Sequence, residues 1–289
     1  IGFLGEFDAL PGLSQVEAAL EKIPAQESAP GHGCGHNLLG VGSLAAAVAV
    51  KQYLQDNHLP GTVVFFGCPA EEGGYDRVNK IARGAAMMTD TTVEIEFIKA
   101  CSNVVINTEL NRLMQKNLEQ VPPAGFDEAD LEQARRYQQT FPKGKTYYDS
   151  LVDEVEDPQM REELQARADE PIHRVVMPLA RERQGFVSSD VGDVSWNCPV
   201  AQINAATMPA GVPMHSWQMV AVGKTPMAKK GMLYAAKVMA ASAIDALEDP
   251  EIIRRAKEEL LRRTGGKTYQ PPIPAEIQPK IPRDLFQTP

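Results

Sequence analysis

The sequence is poor in the features that mark secreted, membrane or nucleic-acid-binding chains. Its four cysteines, Cys34, Cys68, Cys101 and Cys198, form no CxxC pair and no framework spacing. That argues against an extracellular disulfide scaffold and for a reducing compartment, so a cytoplasmic location is expected. Positive charge is also short. There are 29 Lys and Arg against 38 Asp and Glu, giving a net charge of -9. A balance of that sign argues against nucleic acid or an anionic membrane as a partner. The longest apolar run, Leu44 to Val50, is far too short to span a bilayer. There is no internal repeat and no readable signal peptide. The chain opens on IGFLGEFDAL, which reads as the middle of a strand, so the natural start is expected to lie upstream.

What is present belongs to an ordinary globular protein. The chain has 289 residues, 43% of them hydrophobic and 23% charged, enough for one large domain or two ordinary ones. Ile1 to Phe7 reads as a buried strand and Ser14 to Lys22 as a helix stopped by Pro24. Leu38 to Leu54 is an Ala-rich helix with small residues at Gly40, Gly42 and Ser43, suited to close packing on a sheet. GTVVFFGC is a continuous apolar strand of the kind buried on both faces. Strand, loop, helix, strand is an α/β order, and such folds place their sites in the loops after strand ends.

The pattern changes near Gly74. Asp76 to Met88 has helical spacing, and Thr92 to Lys99 alternates as a half-exposed strand, which points to a second, smaller domain. Asn107 to Val121 and Phe126 to Phe141 read as helices, and Lys143 to Glu170 as a charged surface segment. VAQINAAT and SWQMVAVG read as strands either side of the PAGVPMH loop. Lys229 to Leu247 and Pro250 to Arg263 read as helices, followed by an extended Pro-rich tail from Gln270.

Three stretches carry chemistry. GHGCGHN, Gly31 to Asn37, sets Cys34 and His36 two residues apart on a glycine-rich loop, where thiolate and imidazole can reach one metal. The bland alternative is a tight turn capping a helix. His32 is either a third ligand or a residue that shapes the loop. GCPAEEGG places Glu71 and Glu72 straight after the apolar strand. Adjacent glutamates are usually a solvated turn, but at a buried strand end one carboxylate can face a metal and the other a substrate water. That division suits metal-assisted hydrolysis. GVPMHSW supplies His215, unremarkable alone but plausible as a distant ligand once the others need company.

Together GEFDALPG, PGHGCGHNLLG, GCPAEEGG and PMHSW resemble the motifs of the M20 family of metallopeptidases and amidohydrolases, in its aminoacylase-like branch. The motifs match in order, and the similarity runs to about Pro282. The resemblance implies an α/β catalytic domain with a central mixed sheet flanked by helices, interrupted by a small α+β ferredoxin-like lid used for dimerisation. Residues 1–75 and 101–289 would form the catalytic domain and 76–100 a remnant of the lid. It further implies two divalent metal ions, zinc or manganese, with Cys34 bridging them and His36, Glu72 and His215 as ligands. Glu71 would be the general base and Asp8 an outer carboxylate orienting a ligand. SSDVGDVSW, around Asp190 and Asp193, resembles a site-lining stretch of the family less closely. The implied reaction is hydrolysis of the amide in an N-acyl or N-aroyl amino acid such as p-aminobenzoyl-glutamate. The partner is then a small-molecule amide, with a homodimer or hetero-oligomer built through the lid.

Two departures stand out. The family supplies a further metal-binding histidine after the Glu-Glu motif, and neither His58 nor His173 fits that place. Most of the lid is also absent, as if the chain skipped a segment near Gly74 to Asp76. Two other readings are therefore carried. One is a non-catalytic metal-binding or regulatory subunit whose site has decayed. The other makes Cys34 a nucleophile with His36 as its base, which leaves the glutamate pair unexplained.

Overall fold

The computed structural model describes residues 1–68, 71, 85–94, 100–142, 144, 149, 152–179 and 189–273. The chain opens with β1 (Gly2–Glu6), then α1 (His36–Asp56) and β2 (Val64–Cys68). β1 and β2 pair in parallel, Gly2 opposite Val64 and Glu6 opposite Cys68, so α1 is the crossover helix of a βαβ unit. The small residues of α1 have two uses. Gly40 and Ser43 let the helix approach β1, and the Ser43 hydroxyl donates to the Leu4 carbonyl at 2.9 Å. Gly42 instead faces Met232 of a later helix. Phe3, Ala46, Ala47 and Val50 close a core with Ala236, Ala240 and Ala243 of that helix.

The helices after residue 100 are α2 (Thr108–Gln120), α3 (Glu128–Gln138), α4 (Pro158–Gln165), α5 (Val191–Ser195), α6 (Trp217–Val222), α7 (Pro226–Glu248) and α8 (Pro250–Thr264). α1 packs chiefly on α7, and α2 on α7 and α8. A second core joins Leu38 to Leu131, Ala134, Tyr137, Ile172, Val222 and Met227. No helix among the described residues is long and apolar enough to cross a membrane. No disulfide joins the four cysteines.

Several expected elements differ. Residues 14–22 are not helical. Gln15 ties them into a turn, its amide donating to the Glu21 carbonyl and accepting from Ile23 N–H, while Ala18 has φ 57°. SWQMVAVG is α6 rather than a strand, because Ser216 caps it by accepting from Met219 N–H. Residues 200–207 form neither strand nor helix. β2 is exposed on one face at Val64 and Phe66, and the larger mixed sheet is not seen among the described residues, where the sheet has two strands. Within the charged segment, Val152, Val155 and Leu164 bury a small cluster of their own. The helix expected over 76–88 and the strand over 92–99 lie largely outside the described residues, as does the tail beyond 273.

The first turn of α2 shows how the helices are locked together. Asn107 accepts from Leu110 N–H and donates to the Ala256 carbonyl of α8, while Glu259 of α8 accepts from Glu109 N–H at 3.0 Å. Otherwise orphaned donors of a helix start are thereby satisfied from a neighbouring helix. Burial works against the Glu259 carboxylate, yet its bonds from the Glu109 and Thr108 backbone and from Arg263 prevail and lower its pKa from 4.5 to about 2. The folded pKa lies below the unfolded one, so this stabilisation is complete above pH 4.5 and fades as pH falls toward 2. Glu259→Gln is expected to cost about 2 kcal/mol at neutral pH, and chemical denaturation at stepped pH should show that loss shrinking in acid. A loss independent of pH would contradict the assignment.

Candidate metal centre

The candidate site forms at the C-terminal ends of the two parallel strands. β1 delivers Glu6 and, just beyond it, Asp8; the end of β2 leads to Glu71; and His36 is the first residue of α1. The loop before α1 is held by main-chain pairing, Leu10 and Gly31 exchanging both hydrogen bonds. Gly35 then turns into the helix with φ 83°, a left-handed conformation that strains any residue with a Cβ. His36 is thereby held inside, 2% exposed.

Its surroundings are acidic. His36 Nδ1 donates to Asp8 Oδ1 at 2.8 Å, since a carboxylate only accepts. Nε2 faces Glu6 Oε2 at 3.5 Å and Glu71 Oε2 at 3.9 Å. One donor atom from each of Glu6, His36 and Glu71 lies within 4.8 Å of the others. Two nearly buried carboxylates facing one ring nitrogen repel each other unless positive charge, a bound cation or a proton on the ring, sits among them. One imidazole with two carboxylates is a donor set that suits zinc or manganese, and the Asp8 bond to the far ring nitrogen is the usual support for a ligating histidine. The residues therefore fit a divalent metal.

Burial pushes the Glu6 carboxyl above its ordinary pKa, and Asp190 and Asp8 add to that. The hydroxyl of Ser189 and the His36 ring oppose it. Ser189 Oγ donates to Glu6 Oε1 at 2.9 Å across 183 positions of sequence.

The other expected site residues are placed as follows. Asp8 accepts from His36 Nδ1. Glu71 joins the cluster directly, whereas Glu72 lies outside the described residues. Cys34 is half-buried on the loop and contributes no atom to the cluster. His215 is exposed and also outside it, but its N–H donates to the Gly33 carbonyl at 2.9 Å. The PMHSW loop is thus docked onto the GHGCGH loop through the main chain. His215 has φ 56°, an uncommon conformation for a residue other than glycine. His32 shapes the loop, its Nδ1 donating to the Asp8 carbonyl at 3.0 Å.

In SSDVGDVSW, Asp193 does not face the metal cluster. It accepts from Ser102 N–H and from the Tyr269 hydroxyl, while Trp196 stacks on Tyr269 and donates to the Asn103 carbonyl. Gly192 is needed at this junction, since a Cβ there would lie 1.9 Å from the Ser102 carbonyl oxygen. These contacts tie α5 and the residue after it to Ser102, Asn103 and Tyr269.

The sequence profile of peptidase family M20/M25/M40 matches residues 2–271. The chain belongs to that family. Membership makes it a hydrolase of the metallopeptidase and amidohydrolase class, a family that is generally metal-dependent. It is 28% identical to a subunit of the p-aminobenzoyl-glutamate hydrolase of Escherichia coli (strain K12), over 96% of this chain and 84% of that protein. That alignment spans 402 positions against the 289 residues here, so the relative carries stretches without a counterpart in this chain. Xaa-Arg dipeptidases match a shorter part. The Homo sapiens protein is 38% identical over 88 residues and the Mus musculus protein 34% over 87, each match covering 29% of this chain and 16% of the relative.

Glu6 is the residue that motif reading overlooked. It stands two positions before Asp8 in GEFDALPG, a charge inside an otherwise apolar strand. Alternation along a strand puts such a pair on the same side, and that was the available signal.

Proposed function

We propose that this enzyme hydrolyses the amide bond of an N-acyl or N-aroyl amino acid of the p-aminobenzoyl-glutamate kind, with Glu71 as general base. The observation that carries the reading is the convergence of His36 Nε2, Glu6 and Glu71 at one point among the loops that carry the family motifs. His36 and Glu6 hold a divalent metal there. Cys34, Glu72 and His215 complete a two-ion set on the strength of the family resemblance. When bound, such a metal polarises the scissile carbonyl and makes water more acidic. Glu71 accepts the proton as the water oxygen adds to the carbonyl carbon, and returns it to the amide nitrogen as the C–N bond breaks. The products are a carboxylic acid and a free amine. Asp8 holds His36 in its tautomer throughout.

The Escherichia coli relative is named as one subunit of its hydrolase, which suggests assembly with further chains. We take the stretches missing from this chain to be the lid, skipped near Gly74 to Asp76. That same gap favours one competing reading, a metal-binding subunit without turnover.

A strong chelator is expected to abolish hydrolysis of p-aminobenzoyl-glutamate, and added zinc or manganese to restore it. Activity untouched by chelation would overturn the metal-dependent reading. Tight metal binding with no hydrolysis across a panel of N-acyl and N-aroyl amino acids would favour the non-catalytic one.

A further inference from the structure

Ser189 links a distant part of the chain to the metal cluster, and its hydrogen bonds are directional. Its oxygen accepts from Val191 N–H at 3.2 Å, at the start of α5. A serine hydroxyl has one proton, and here it points at Glu6 Oε1, 2.9 Å away. With Oε1 engaged, Oε2 is the oxygen left facing His36 Nε2. Ser189 precedes α5 and is tied to its first turn by the Val191 N–H, while Asp193 of that helix accepts from the Tyr269 hydroxyl.

We propose that Ser189 is a positioning residue for the metal site, holding Glu6 so that it offers a single oxygen, Oε2, to the cation. This rests on the reading of Glu6 and His36 as metal ligands. Outer hydrogen bonds of this type typically change metal affinity by about 10–100-fold.

The test is Zn2+ affinity of the full chain, measured by competition with a chromogenic chelator. Ser189→Ala should weaken binding about 10-fold, and Ser189→Thr, which keeps the hydroxyl, should bind as the parent does. Ser189→Gly is carried in parallel in case the alanine variant does not fold, and metal-free unfolding midpoints provide the check on folding. Because the serine acts through Glu6, adding Ser189→Ala to Glu6→Ala, which has no oxygen to hold, should weaken binding no further. Unchanged affinity in Ser189→Ala overturns the proposal and leaves the proposed function standing. A further loss in the double variant overturns it too, since Ser189 would then act by another route. A parent chain that binds no Zn2+ fails at the earlier step and removes both readings together.

Discussion

Glu71→Gln is expected to lower kcat by about 10³-fold while leaving metal affinity nearly intact, because the amide keeps the shape of the side chain but cannot take a proton. Glu71 Oε2 lies 3.9 Å from His36 Nε2, farther than Glu6 Oε2 at 3.5 Å, and its side chain is 11% exposed. It is therefore the carboxylate less tightly paired with the ring, and so the one better suited to take a proton from a water. The competing assignment makes Glu71 a ligand. In that case affinity would fall by about 10-fold or more and excess metal would recover much of the rate. Measuring kcat at saturating metal together with Zn2+ affinity separates the two. A rate within a few-fold of the parent at saturating metal would sink the general-base role.

The GHGCGHN and GCPAEEGG stretches stood out because they lie on short loops of unusual composition, and of their residues His36 and Glu71 meet in the cluster while His32 bonds to the loop backbone. His36 and Asp8 are joined through the bond from Nδ1 to Oδ1, a pairing that the family resemblance left open by giving Asp8 no particular ligand to orient. The long helices were legible too, α1, α2, α7 and α8 each having caps or stops in the sequence, such as Asn107, Thr225 and Asp249. Short apolar runs were not. WQMVAV fits strand or helix by periodicity alone, and the deciding feature is the Ser216 side chain at its start. Nor does an apolar strand announce how many layers will cover it, so Phe66 of β2 is half exposed where burial was expected. Ser189 was out of reach for another reason. Its partner is Glu6, 183 residues away, and no local pattern encodes that pairing.

His36→Ala should have the larger consequence for the metal. It removes the one imidazole among three carboxylates, those of Asp8, Glu6 and Glu71. Zn2+ affinity is expected to fall by at least about 100-fold, with hydrolysis lost at any practical metal concentration. Asp8→Asn makes a graded comparison, since the amide oxygen still accepts from Nδ1 while the negative charge behind the ring is gone. Its expected loss is smaller, about 10-fold in affinity. The order matters more than either value: a ligand must outrank the group that orients it. If His36→Ala bound Zn2+ as tightly as the parent, the ion would have to sit elsewhere. The convergence of Glu6, His36 and Glu71 would then be an acidic pocket around a protonated histidine.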